Sequence, residues 1–313
     1  MLFSLALGSA VAGLLEFLAA LSGRDRLQQP GSDAHWPGLA ELPWEFDACD
    51  NRAMTNYTLL SDSQEWIGKR WSEDPSPDRV RLLSLARDVL NFLDATGQRH
   101  RFEDFHQHPE FSARPRTPDN LDERFIQTES LLSKLRDETG SEEERAQIQV
   151  ILDALQFISS TDQHGAFNEY RRHVEAGGPP LVVASFDTRE EAEAWLKKHP
   201  QPPDFANILI ANQYHFVTHD RSTNIRRLPR SRDLEYYLAG LKREEPPTAI
   251  ASSFANLGEA EAWLQSQAKS AVRAWVSVAG ELYLAVYYAN IDHRALYPLS
   301  MAEGYEAEPD ESA

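Results

Sequence analysis

Between positions 100 and 108 stand His100, Glu103, Asp104, His106 and His108, imidazoles and carboxylates of the kind that hold a transition metal. Their spacing matches no recognised ligand pattern, and charged residues that follow a helix are ordinarily solvated. His100, Asp104, His106 and His108 are thus the metal-ligating candidates, with a solvated charged segment as the competing reading. A second group, His215, His219 and Asp220, falls on an expected strand, where His215 and His219 face the same way but stand roughly 13 Å apart. One ion or one proton transfer does not bridge that gap without a bend. Cys49, the one cysteine, lies between Asp47 and Asp50, whose charges oppose the thiolate that a nucleophile needs. A lone cysteine also excludes an intramolecular disulfide and suits a reducing compartment.

The most unusual cluster is basic. Arg221, Arg226, Arg227, Arg230 and Arg232 crowd one segment of a chain with 31 Lys and Arg against 49 Asp and Glu, a formal net charge of −18. They are the binding candidates for an acidic partner or a phosphate, unless the surplus carboxylates absorb them in internal ion pairs. The charge of the whole disfavours a nucleic-acid partner, whose binding depends on Lys and Arg displacing counterions, and favours a basic protein. A glycine-rich phosphate loop, a G-x-S-x-G elbow, H-E-x-x-H and paired-cysteine motifs are all missing from the sequence, so no cofactor and no catalytic residue is expected.

These segments hang on elements that are written twice. Phe186, Trp195 and Leu196 recur as Phe254, Trp263 and Leu264 at an offset of 254 − 186 = 68. Each helix opens with a capping residue and a glutamate three positions on, Thr188 with Glu191 and Asn256 with Glu259. Ala192, Trp195 and Leu196, like Ala260, Trp263 and Leu264, form one apolar stripe that must lie on a sheet. Ile208 and Ile210, then Tyr214, Phe216 and Thr218, alternate with other residues around Ala211-Asn212; Val276 and Val278, then Leu282, Leu284 and Val286, do so around Ala279-Gly280. Asn and Gly tolerate positive φ, so each unit contains a hairpin. The expected fold class is α+β, a mainly helical N-terminal part followed by a tandem duplicated βαββ domain at 181–302, with units 181–240 and 249–302. Its strands are expected in one sheet with both helices on one face.

Residues 56–178 carry helical periodicity, as in Leu83, Ala86, Leu90 and Leu93, and again in Ile148, Ile151, Leu155 and Ile158. Pro75, Pro77, Pro115 and Pro118 cut this stretch into separate helices. Asp88, Leu90, Phe92, Thr96, Gln98, Phe102 and His108 match Asp153, Leu155, Phe157, Thr161, Gln163, Phe167 and His173 at 157 − 92 = 65, which suggests two related helical repeats. Chance similarity of two amphipathic helices is the competing reading. Residues 1–22 read as an apolar helix, buried, partner-bound or in a membrane; Glu16 inside the run speaks against a cleaved signal. Residues 23–55, with Trp36, Trp44 and Phe46 among prolines, read as a wrapping segment, and 303–313 as a disordered acidic tail. A cytoplasmic location is expected, with inner-membrane anchoring through residues 1–21 as the alternative.

The stretch from Thr188 to Leu196, T-x-E-E-A-x-A-W-L, resembles a helix start that recurs in a paralogous set of myxobacterial proteins, some labelled only as head proteins. That resemblance implies a shared fold and no catalytic residue. The units also resemble SPOR domains, small α+β repeats that bind denuded peptidoglycan, although SPOR halves are βαβ and the units here read as βαββ. Charge, duplication and missing motifs together lead to an expected function: a non-enzymatic protein-interaction protein with an acidic surface, of the immunity or antitoxin kind. A structural or phage-derived assembly component and a SPOR-like cell-envelope binder are the alternatives.

Overall fold

A computed structural model describes residues 51–108, 123–244, 249–269 and 273–303 as mixed α+β with several small sheets. The expected helix at 1–22, Cys49, most of the wrapping segment and the acidic tail lie outside the described residues. No described helix is long and apolar enough to cross a membrane.

Among the described residues six helices precede the first strand: α1 (Asn51–Glu73), α2 (Pro77–Ala95), α3 (Arg99–Gln107), α4 (Glu123–Glu138), α5 (Glu142–Ser160) and α6 (His164–Glu175). Their boundaries repeat at 65 positions: 142 − 77 for the starts of α2 and α5, 164 − 99 for α3 and α6, and 138 − 73 for the ends of α1 and α4. The same local chemistry stops α2 and α5. Thr96 and Thr161 each turn the hydroxyl back onto the carbonyl of Phe92 or Phe157 at 2.6 Å, and the next residue takes positive φ, 66° at Gly97 and 56° at Asp162. Buried positions coincide as well, Leu83, Ala86, Leu90 and Phe92 against Ile148, Ile151, Leu155 and Phe157, all in one core. Each of the leucine, isoleucine and phenylalanine side chains contributes about 1.5–3 kcal/mol over remaining exposed.

The two helical triplets touch reciprocally. Arg171 donates to Asp88 at 3.1 Å, and His106 meets Asp153 at 2.6 Å, the same pair of positions with the triplets exchanged. Phe92 lies 5.7 Å from Phe167 and Phe157 lies 6.0 Å from Phe102, again one contact made both ways. Gln98 donates to the Gln163 side chain at 2.7 Å, a position meeting its own counterpart.

The remainder runs β1 (Val182–Phe186), α7 (Arg189–Lys198), β2 (Asn207–Ile210), β3 (Gln213–Phe216), β4 (Thr218–Asp220), β5 (Ile225–Arg227) and α8 (Asp233–Glu244). Then follow β6 (Ser252–Phe254), α9 (Leu257–Ser266), β7 (Arg273–Val278), β8 (Glu281–Tyr288) and β9 (His293–Pro298). In each half a parallel pair is followed by an antiparallel one, and the registers differ by 68 positions: Phe186↔Ile210 becomes Phe254↔Val278, and Ile208↔His215 becomes Val276↔Tyr283. Both hairpin turns place two residues at positive φ, Ala211 and Asn212 at 50° and 61°, Ala279 and Gly280 at 51° and 88°. The rings at the head of each helix also match, Phe186 to Trp195 at 5.3 Å and Phe254 to Trp263 at 5.6 Å.

A fourth strand, not anticipated, completes the second sheet. β9 pairs along β8, whereas in the first half the corresponding ribbon is divided into a His215↔Arg230 bridge and the β4–β5 pair. Pro229 accepts from Phe216 N–H at 2.9 Å but has no N–H to return the bond, so the ladder is interrupted there.

The expectation of one sheet with both helices on one face is corrected: among the described residues there are two sheets, β1-β2-β3 and β6-β7-β8-β9, besides the β4–β5 ribbon. The reason is that both faces of each sheet are apolar. Ile208 and Ile210 pack with Ala192 and Leu196 of α7, and Val276 and Val278 with Ala260 and Leu264 of α9. Leu209 and Tyr214 from one sheet and Leu284, Val286 and Tyr297 from the other share a further core with Leu234 and Leu238 of α8. Each helix therefore covers the outer side of its own sheet, and the inner sides are buried together. Tyr214, Tyr288 and Tyr297 satisfy their buried hydroxyls on one another, at 2.7 Å and 3.1 Å.

Candidate functional site

The residues flagged for metal binding are dispersed onto different partners. His100 Nε2 lies 3.1 Å from Asp204 and Nδ1 3.2 Å from Glu103; Asp104 takes a two-pronged bond from Arg221 at 2.9 and 2.7 Å; His106 meets Asp153. His108 ends α3 as its capping residue. Among the described residues no group of three or more His, Cys, Asp or Glu is placed to hold a metal ion. Burial works against a charged His100, yet the two carboxylates outweigh it and raise the pKa to about 9. The Arg221 bond holds the Asp104 carboxyl below its usual range.

His215 and His219, expected on one face of a strand, are parted by the break after β3. His215 is buried with Nδ1 3.1 Å from the Gln213 carbonyl, while His219 bonds Asn224 at 3.2 Å and stands edge-on to His100, ring centres 6.1 Å apart. The backbone N–H of His219 donates to Asp204 at 2.9 Å. This set therefore ties the β4–β5 ribbon and the segment that leads into β2 to α3 through His100, Asp204, Asp104 and Arg221.

The five arginines also separate. Arg221 is held by Asp104 and Arg230 by Glu235 at 2.9 Å, and Arg232 is engaged as well. Arg226 reaches the open C-terminal carbonyls of α7, at 2.6 Å to Leu196 and 2.8 Å to His199. Its counterpart 68 positions on, Arg294, bonds Gln267, the counterpart of His199, at 3.3 Å. Both satisfy carbonyls that a helix end leaves without partners and place positive charge at the negative pole. Arg227 is exposed and meets no carboxylate among the described residues.

Beside Arg226 and Arg227 an open groove of about 890 Å³ runs between α7 and β5, with Arg189, Lys197 and Glu193 on its helical flank. The groove was not anticipated from the sequence. Arg189 and Lys197 lie some thirty residues before the arginine cluster in the chain, and the signal for them is comparative: their counterparts are Leu257 and Gln265.

A line of three polar side chains crosses between the two sheet units. Ser185 Oγ lies 3.3 Å from His293 Nδ1, and His293 Nε2 lies 2.8 Å from Asn212 Oδ1. Burial lowers the His293 pKa, against the pull of Asp187, which favours a neutral imidazole. A hydroxyl, an imidazole and an orienting amide in a row can pass a proton. Beside them Asn290 donates to the Val182 carbonyl at 2.7 Å, so the same turn that carries His293 seals the β1 edge. Ser185 and His293 stand in different units, which is why neither drew notice in the sequence. No family model, curated protein or solved structure matches this chain.

Proposed function

We propose that the described chain consists of two tandem duplications, a helical triplet repeated at 65 positions and a strand-helix-strand unit repeated at 68, and that it serves as a non-enzymatic protein-interaction protein. Its acidic surface takes a basic protein partner, as immunity proteins do. The disposition of charge supports this reading. The histidines and most of the arginines that offered chemistry are engaged within the fold, whereas Glu143, Glu190 and Glu261 on α5, α7 and α9 are exposed in a chain of net charge −18. Such a field accelerates encounter with a basic surface and fades with salt. The two-copy reading is supported by registers, turns and caps that coincide without a gap.

The test is affinity capture from the native lysate at about 50 mM salt, repeated at about 500 mM, where the screening length is several-fold shorter. The expected result is a basic protein retained at the lower salt and released at the higher. Retention of no protein at low salt overturns the proposal.

A further inference from the structure

The chain contains its own control for which side chains the architecture requires. On the two-copy reading, a side chain that stands in both sheet units serves the shared architecture, and one that stands in a single unit either makes a contact peculiar to that unit, as Arg221 and Arg230 do in their ion pairs, or is available for another use. Around the groove between α7 and β5, Leu196 has Leu264, Glu193 has Glu261 and Arg226 has Arg294 with the same capping contact. Arg189, Lys197 and Arg227 have instead Leu257, Gln265 and Ala295.

Those three cations are also the accessible ones. Arg189 bonds Glu193 at 2.9 Å and donates to the Leu228 carbonyl at 3.3 Å across the groove, yet its side chain remains 52% exposed, and Lys197 and Arg227 are exposed with no carboxylate partner among the described residues. Arg189, Lys197, Arg226 and Arg227 face a single carboxylate, Glu193, so the groove is locally positive within a chain of net charge −18.

We propose that this groove docks an acidic peptide segment of a partner protein, whose carboxylates pair with Arg189, Lys197 and Arg227. The sign of the occupant follows from charge complementarity. Its class follows from form: the site is an open channel along a helix flank with Leu196 and Leu228 at its base, suited to an extended chain, while the charge of the whole repels a long polyanion. The assignment rests on the two-copy reading and adds a surface of opposite sign to the acidic one.

The experiment titrates the full chain into a fluorescein-labelled peptide rich in Asp and Glu and reads anisotropy at about 50 mM salt. The decisive variant combines Arg189→Leu, Lys197→Gln and Arg227→Ala, the residues that the second unit already carries at these positions. Binding is expected to weaken about tenfold, each exposed pair accounting for roughly 1.5- to 5-fold, while Lys134→Gln on α4 leaves it unchanged. If the triple variant melts early, Lys197→Gln and Arg227→Ala singly give the same readout at about threefold each. Equal binding by the triple variant, no binding by the natural chain, or tighter binding of a single-stranded oligonucleotide of equal charge overturns the proposal. A lysine-rich peptide, measured in parallel, reports on the acidic surface and is insensitive to the triple substitution, so failure of the groove and failure of the basic-partner reading are told apart.

Discussion

His100 is held between Asp204 and Glu103, and the pH dependence of the fold follows from that placement. Its pKa rises from 6.5 to about 9 on folding, so the stabilisation is complete below about pH 6.5 and is lost as the pH climbs through about 9. Discounted for partial exposure, the expected loss is about 1–2 kcal/mol between those limits. Chemical denaturation at several pH values checks this: His100→Gln should flatten the decline, and an unaltered slope in that variant would remove the assignment. Gly97 offers a second prediction at this scale. At φ 66° an added Cβ would lie 2.5 Å from Pro203 Cβ and 2.7 Å from the Asp204 backbone nitrogen. Its counterpart Asp162 has the same backbone sign and is exposed, so an ordinary side chain is tolerated there. Gly97→Ala is expected to destabilise by more than about 2 kcal/mol, against less than about 1 kcal/mol for Asp162→Ala, as read from denaturant midpoints.

Among the elements, α7 and α9 show how much of a helix is specified locally. Thr188 accepts from the Glu191 N–H while Glu191 reaches back to the Thr188 N–H, a complete capping box; Asn256 accepts from the Glu259 N–H at 3.1 Å. Those starts are legible because the groups involved lie within three residues of each other. The far ends are not. They are closed by Arg226 and Arg294, which arrive from neighbouring strands. Arg226→Ala should therefore lower stability by about 1–2 kcal/mol through the unsatisfied end of α7, and Arg294→Ala, with one bond at 3.3 Å, by less. Thermal melts of the two variants test the order; Arg227→Ala, next in sequence and exposed, serves as the neutral comparison.

At the scale of the molecule, charge of one sign predominates, and self-repulsion opposes the compact state. Raising salt from about 10 to about 150 mM shortens the screening length from roughly 30 to 8 Å and should raise the melting temperature by a few degrees. A fall instead would mean that the exposed ion pairs, which salt weakens, outweigh the repulsion. The junction through His100, Asp204, Asp104 and Arg221 further predicts that helical and sheet halves melt in one transition, seen alike by far-ultraviolet circular dichroism and tryptophan fluorescence.

What the amino-acid order determined by itself was everything carried by short separations: apolar periodicity, caps and turn residues, together with the offsets of 65 and 68 at which like residues recur. Those features depend on neighbours along the backbone, so spacing alone records them. Whether two sheets merge at their edges or bury their faces, and which cation meets which carboxylate, was decided only by the tertiary structure. Asp104 and Arg221, separated by 117 residues, form their pair because folding brings α3 against the turn between β4 and β5, and no local pattern encodes a contact whose energy exists only once that approach has been made.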